Sequence, residues 1–417
     1  MKSIKRAIAV LLALLVFPAA AWGQGASAEV SGDTLRITQD AGVGGTLKVV
    51  YIPARPDYPT PIYTVEMFNF GSEVPDTRSS TCSKPLFSKS VSCPAAGVTN
   101  IVIEAGDGDD EIGVGTQRYV NSGGSAPIPV PVSVSLGDGN DMTYFRLDRQ
   151  TATVDGGNGN DSVSTANPDP FPKDDFTSGL RFIGGPGDDR IELSRRTGGE
   201  TVFLGGDGQD AASGESNGVT TLNGEAGADR FGVKHAAGTL ALLGGDGDDT
   251  FEMDDLDSAG SARTEVRAGP GNDTIEPRLG AGSDLIDCGS GSDSVELPEG
   301  NLRKLLLGHT YIDCPIVAAQ FKNPRLSPRG ARVAIALLPP ARAKAKVAVK
   351  QVNARGKTVF RSPAVRVRFV RGRSSRVTLK VPKKLLRLRR ARLYVIVDAT
   401  SASGDRTRLE EKVLFKR

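Results

Sequence analysis

A glycine-rich hexapeptide recurs through the middle of this chain, and it narrows what that region can fold into. Its clearest copies are Gly184-Gly185-Pro186-Gly187-Asp188-Asp189, followed by Arg190-Ile191, and Gly244-Gly245-Asp246-Gly247-Asp248-Asp249, followed by Thr250-Phe251. Ten copies align on their sixth-position aspartate: Asp110, Asp141, Asp161, Asp189, Asp210, Asp229, Asp249, Asp273, Asp284 and Asp293. Gly fills the fourth position in all ten and the second in nine, with Glu225 the exception. Glycine reaches positive φ without steric cost, so such a segment can curl tightly and aim its carbonyl oxygens inward. The eighth position is apolar in most copies (Ile112, Val163, Ile191, Phe231, Phe251, Ile275, Ile286 and Val295), with Thr143 and Ala212 the weak ones. Each turn therefore leads into a short strand that sends one side chain into a core.

Successive aspartates are separated by 31, 20, 28, 21, 19, 20, 24, 11 and 9 residues, and the last two together make one more interval of 20. A lap of about 20 residues is one coil of a β-solenoid, strand-turn-strand-turn, whose coils bury their apolar faces only by stacking. Between Asp189 and Asp210, Ile191 to Leu193 reads as a strand, Arg195 to Glu200 as a turn and Thr201 to Leu204 as the return strand. The Gly-Asp turns then line one edge, and only Asp284 and Asp293 place the motif on both. The longer gaps hold insertions, including Gln117 to Pro131 and Ala166 to Ser178.

The turn chemistry points to calcium. A hard cation of this kind takes about six to eight oxygens from carboxylates and carbonyls. One turn cannot supply them, whereas two stacked turns can. In a metal-free solenoid the same turns would merely punctuate the coil, and the acidic excess would repel itself.

These residues resemble the RTX nonapeptide family, GGxGxDxUx, over roughly residues 101–297. The resemblance implies a right-handed parallel β-roll in which the sixth-position aspartate and turn carbonyls hold Ca2+, a role carried over onto the ten aspartates above. Two departures stand out: the first position is Gly only at Gly156, Gly184, Gly205, Gly224 and Gly244, and most laps carry one motif instead of two. The chain looks less like a toxin tail than like stand-alone secreted calcium-binding repeat proteins of high-GC Gram-positive bacteria. Cys93-Pro94-Ala95-Ala96-Gly97-Val98-Thr99 before the first repeat and Ile286-Asp287-Cys288-Gly289 with a later Cys314 extend that likeness.

The amino-terminal end carries Lys2, Lys5 and Arg6, an apolar run from Ala7 to Phe17, then Pro18 and small residues. This is too short for a membrane span and has the pattern of a secretory signal peptide, with cleavage after Ala21, Gly23 or Ala28 all compatible. No later stretch is long and apolar enough to be a transmembrane segment. An even cysteine count in an exported chain favours two disulfides, most simply Cys82 with Cys93 and Cys288 with Cys314, although four cysteines allow three pairings. Residues 1–314 hold 24 Lys and Arg against 45 Asp and Glu, and residues 315–417 hold 28 against 4. Without the three leader cations, a −24 unit is joined to a +24 unit.

Catalytic signals are weak. Gly214-Glu215-Ser216-Asn217-Gly218 matches GxSxG, but a nucleophile elbow needs a following helix, and Val219 to Leu222 reads as a strand. His235 and His309 are the only histidines, HExxH is absent, and packing or solvated roles explain both. Asp255 to Val266 opens like an EF-hand loop but has Ala259 and Val266 at ligand positions. Paired carboxylates leave a secreted hydrolase or lyase on a β-solenoid as the rival class, yet the turns account for the acids, and with one Trp and seven Tyr sugar-stacking rings are few.

From about Gln320, apolar and basic residues alternate, as in Val365, Val367 and Phe369 against Arg366 and Arg368, and in Val347 and Val349 against Lys346 and Lys350. Period two predicts half-buried strands. Further strands are expected at Val377 to Val381, Leu393 to Val397 and Lys412 to Phe415, with a short helix within Pro382 to Arg390. The fold expectation is all-β: signal peptide 1–28, a β-rich cap 29–100, a right-handed parallel calcium β-roll 101–300, a second cap and linker 301–319, and a basic immunoglobulin-like β-sandwich 320–417. The functional expectation is a secreted, extracellular, non-enzymatic calcium-binding protein in a structural or surface-interaction role. The rival reading of the basic domain is an adhesin for an anionic cell-wall or glycan polymer; nucleic acid is disfavoured because aromatic residues are sparse among its strands.

Overall fold

A computed structural model describes residues 26–417 except 40–43, 55, 57–58, 69–75, 78–80, 85–89, 116–127, 146–149, 166–178, 194–198, 256–261, 279–283, 296–308, 316–317, 339–342, 354–356, 371–372 and 402–405. The signal-peptide segment 1–25 and most of both predicted insertions lie outside the described residues. The described chain is all-β, with 69% strand and 1% helix, and its larger unit is a parallel β-solenoid.

From Asn100 onward the strands alternate between two sheets. One sheet stacks Asn100–Glu104, Val132–Asp138, Thr151–Asn158, Gly179–Pro186, Glu200–Asp207, Val219–Ala226, Thr239–Asp246, Arg263–Arg267, Leu285–Asp287 and Thr310–Ile312 in parallel. The other stacks the short strands that follow the Gly-Asp turns, from Glu111–Val114 to Ser294–Val295. Every lap thus gives one strand to each sheet, and apolar side chains fill the space between.

Register explains the eighth-position pattern. Ile112, Thr143, Val163, Ile191, Ala212, Phe231, Phe251, Ile275 and Val295 pair in succession across the second sheet and are all buried. The two weak copies stand in the same column, and Thr143 leaves its hydroxyl buried without a partner. Opposite them run Phe182, Phe203, Leu222, Leu242 and Val266. Phe182 stacks on Phe203 at 5.3 Å between ring centroids, and Phe231 on Phe251 at 5.1 Å. In-register parallel stacking sets like rings on like rings, an offset arrangement that adds to plain burial.

The expected β-rich cap over 29–100 is built onto the same two sheets. Thr34–Gln39 pairs in parallel with Asn100–Glu104, and Thr46–Ile52 with Glu111–Val114, so the first rung of the solenoid precedes the first Gly-Asp turn. Antiparallel strands Ala26–Ser31, Ile62–Phe68 and Ser90–Pro94 then close that end. The first strand begins at Ala26, inside the span assigned to the leader, so cleavage after Ala28 would cut it. At the other end Thr310–Ile312 makes a last rung beyond residue 300. Both expected disulfides are present, Cys82–Cys93 and Cys288–Cys314, one near each end.

The carboxy-terminal unit is one eight-stranded sheet, antiparallel except for a parallel contact between Arg325 and Lys416, with its own core, including Ile335, Val347, Val349, Leu393, Val395, Val397 and Phe415. Its long strands are Ala318–Ser327, Gly330–Leu338, Ala343–Val352, Arg390–Ser401 and Arg406–Lys416, and the short helix is a single turn, Lys383–Leu386.

The buried ring column gives a direct test of the stack. Phe231→Ala should lower unfolding free energy by about 3–5 kcal/mol, the range for deleting a buried aromatic ring. Denaturant unfolding checks this; a loss under about 1 kcal/mol would mean the column is not packed as described.

Candidate metal centre

Each Gly-Asp turn joins a strand of the first sheet to one of the second, and register stacks the turns. Nine of the aspartates precede second-sheet strands and form one column; Asp284 precedes Leu285–Asp287 and sits on the opposite edge. Apart from the half-buried Asp293, the other nine of the ten are at most 3% exposed.

The column is held by one repeated hydrogen bond. The backbone N–H of Asp110 donates to Oδ1 of Asp141 at 2.7 Å, and the same bond links Asp141 to Asp161, Asp161 to Asp189, Asp189 to Asp210, Asp210 to Asp229, Asp229 to Asp249, Asp249 to Asp273 and Asp273 to Asp293 at 2.7–3.1 Å. Asp110 ends the series by accepting from Gln39 Nε2 and from the Gly45 N–H. A second ladder runs outside it at the fifth position. There Oδ1 of Asp109, Asn140, Asn160, Asp188, Asp248 and Asn272 accepts the N–H of the fifth-position residue one coil on. Turn amides that no sheet partner reaches are thereby satisfied, as buried backbone donors must be.

The other carboxylate oxygen has no such use. In Asp110, Asp141, Asp161, Asp189, Asp210, Asp229, Asp249 and Asp273, Oδ2 is buried without a hydrogen-bond partner. In Asp161, Asp189, Asp210, Asp229 and Asp249 it lies over the first-position glycine. A Cβ on Gly205 would sit 1.9 Å from Asp210 Oδ2 and 2.7 Å from the Gly224 carbonyl oxygen of the next coil, and Gly184, Gly224 and Gly244 repeat the arrangement. The first-position glycine thus leaves room for a carboxylate oxygen and a carbonyl oxygen on one side of the backbone. The fourth-position glycine answers the stacking: Gly187 has φ +144°, and a Cβ there would meet the Gly159 carbonyl oxygen at 1.8 Å. Glu225 takes the second-position left-handed conformation, φ +75°, without being glycine.

Asp284 differs. Its Oδ1 accepts the Thr264 N–H at 2.8 Å, while His309 Nδ1 lies 2.8 Å from its Oδ2 and 3.3 Å from its backbone nitrogen. His309 stands where the next aspartate would be, a partner that spacing did not foretell.

Burial pushes the column's carboxyl groups up from 3.8, to about 7 at Asp141, Asp189, Asp210 and Asp249 and to about 6 at Asp110, Asp161, Asp229 and Asp273. Neighbouring carboxylates add to burial in several, as Asp161 and Asp210 do around Asp189. The donor set is all oxygen, which suits Ca2+ and not a thiolate-seeking metal. Among the described residues no three His, Cys, Asp or Glu side chains converge on one point, so a metal here would need turn carbonyls as well.

The catalytic signals resolve differently. Ser216 pairs with His235, and His235 with Asp255, in adjacent strands, a juxtaposition hidden in the sequence by spacings of about one lap. Ser216 and His235 are each 1% exposed; Ser216 Oγ bonds Thr220 Oγ1 at 2.6 Å, and the imidazole bonds Thr264 Oγ1 and the Ala237 carbonyl oxygen. Both side chains are buried and spend these polar atoms on interior partners. The middle of the EF-hand-like segment, 256–261, lies outside the described residues. Comparison with protein-family models, with curated proteins and with solved structures finds no match for this chain.

The raised carboxyl values have a definite consequence. Groups that bind protons more tightly folded than unfolded stabilise the fold fully below about pH 4 and lose that contribution as pH rises through 6 to 7. In chelator, the melting temperature of the roll should therefore fall between pH 5 and pH 8. A melting temperature that is flat or rising over that interval would contradict a column of buried carboxylates.

Proposed function

We propose that the solenoid is an extracellular calcium-binding β-roll, right-handed as in the RTX family it resembles, in which Asp110, Asp141, Asp161, Asp189, Asp210, Asp229, Asp249, Asp273, Asp284 and Asp293 contribute the charge of the metal sites. The observation that carries this reading is the row of orphaned Oδ2 atoms, which at Asp161, Asp189, Asp210, Asp229 and Asp249 share the space over the first-position glycine with a carbonyl oxygen of the next coil. A buried anionic oxygen without a donor is costly, and a cation or a proton relieves it. At neutral pH and in a calcium-rich medium, the cation has the advantage. Because these aspartates, Asp293 apart, are at most 3% exposed, the metal enters as the coils close, so binding and folding are one process.

The role that follows is structural and not enzymatic. The GxSxG serine and its neighbouring histidine are interior, and the acids of the turns have a structural task in the ladder. Two disulfides suit an oxidising compartment, and among the described residues no helix is long and apolar enough to cross a membrane. The carboxy-terminal sheet is read as an immunoglobulin-like module on its size and antiparallel strands.

Circular dichroism at pH 8 tests the proposal. β content should be low in chelator and rise in millimolar calcium; equal content in both would refute metal-coupled folding. Asp210→Asn keeps an acceptor for the Asp189 N–H but removes the charge. It should stabilise the metal-free form and raise the calcium midpoint by roughly tenfold, equivalent to about 1.4 kcal/mol.

A further inference from the structure

The basic sheet carries a groove that the calcium reading does not use. Across its neighbouring strands Val365–Phe369, Ala343–Val352, Arg390–Ser401 and Arg406–Lys416, register sets Arg368 opposite Lys344 and Arg366 opposite Lys346. The second row continues from Lys346 to Asp398 and Arg408. Between the two rows lies a groove of about 1020 Å3. Like charges directly opposite on adjacent strands are destabilising, so this face is kept against its own repulsion. Among the described residues Lys344, Lys346, Arg366 and Arg368 have no ion-pair partner, whereas Lys350, further along the same strand, pairs with Glu410 at 2.5 Å. The groove's one acid, Asp398, faces Arg408 at 3.5 Å.

A solvated face needs polar residues, but it does not need one sign of charge in two facing rows. Strands lie roughly 4.8 Å apart, and same-face residues along one strand are about 6.6 Å apart, so the cations form a grid on the scale of successive charges in an extended polymer. No aromatic residue lines the groove, so it offers no platform for sugar rings or bases. Arg forks and Lys ammonium groups together suit tetrahedral phosphate oxygens.

We propose that this groove binds a linear phosphate polymer, recognised by its charge repeat and not by rings. The site lies in the carboxy-terminal unit and does not depend on calcium in the roll. The test is binding of the full chain to inorganic polyphosphate at about 0.15 M salt, in chelator because the probe itself sequesters calcium. The triple variant Lys344→Ala, Arg366→Ala, Arg368→Ala should bind at least tenfold more weakly, with the salt dependence of binding reduced by about one unit per cation removed. A control with the same charge change elsewhere in the unit, on the short helix and the turn that follows it, Lys383→Ala, Arg387→Ala, Arg389→Ala, should bind as the unaltered chain does. Absence of binding, equal losses in both variants, or tighter binding of a sulfated glycan than of polyphosphate would each overturn the proposal. Thermal melting of the basic unit in both variants separates loss of the site from loss of the fold.

Discussion

Everything in the larger unit depends on carboxylates buried one above another at the spacing of β-strands. Two unit charges about 5 Å apart repel by about 3 kcal/mol at an effective dielectric of about 20, and a column repeats that at every rung. The fold accepts the cost because Oδ1 of each aspartate caps the turn amide of the coil before it, which no ladder bond reaches. It leaves Oδ2 as the atom that must be neutralised. Glycine follows from the same constraint: in five copies the first position makes room for that oxygen, and the fourth allows a neighbouring carbonyl to approach.

Much of this was legible in the sequence, because turn spacing and the eighth-position apolar residue both report a lap of about 20 residues. Placing nine aspartates on one edge and Asp284 on the other needs only that count. The amino-terminal rung was not legible: Thr34–Gln39 and Thr46–Ile52 join the two sheets through strand pairing alone, with no Gly-Asp turn to mark the lap. The structural use of the carboxylates also escaped the sequence, since a metal-ligand motif and an amide-capping motif call for the same residue type. His309 was passed over because its partner lies 25 residues away on another rung.

The two units divide charge and chemistry. In the solenoid, the sixth-position aspartates are drawn inward and held by backbone donors. In the basic sheet, cations point outward and several stand opposite one another unpaired. One unit buries a column of its acids, and the other displays its cations.

The central claim, that calcium neutralises the buried column, is most directly tested by anomalous scattering from crystals of the full chain grown at neutral pH in calcium. The account predicts a row of calcium peaks beside Oδ2 of Asp141, Asp161, Asp189, Asp210, Asp229 and Asp249, repeating with the coil. Ordered density with no peak along that row, and with each Oδ2 in contact with a backbone carbonyl as a protonated acid would be, would contradict it.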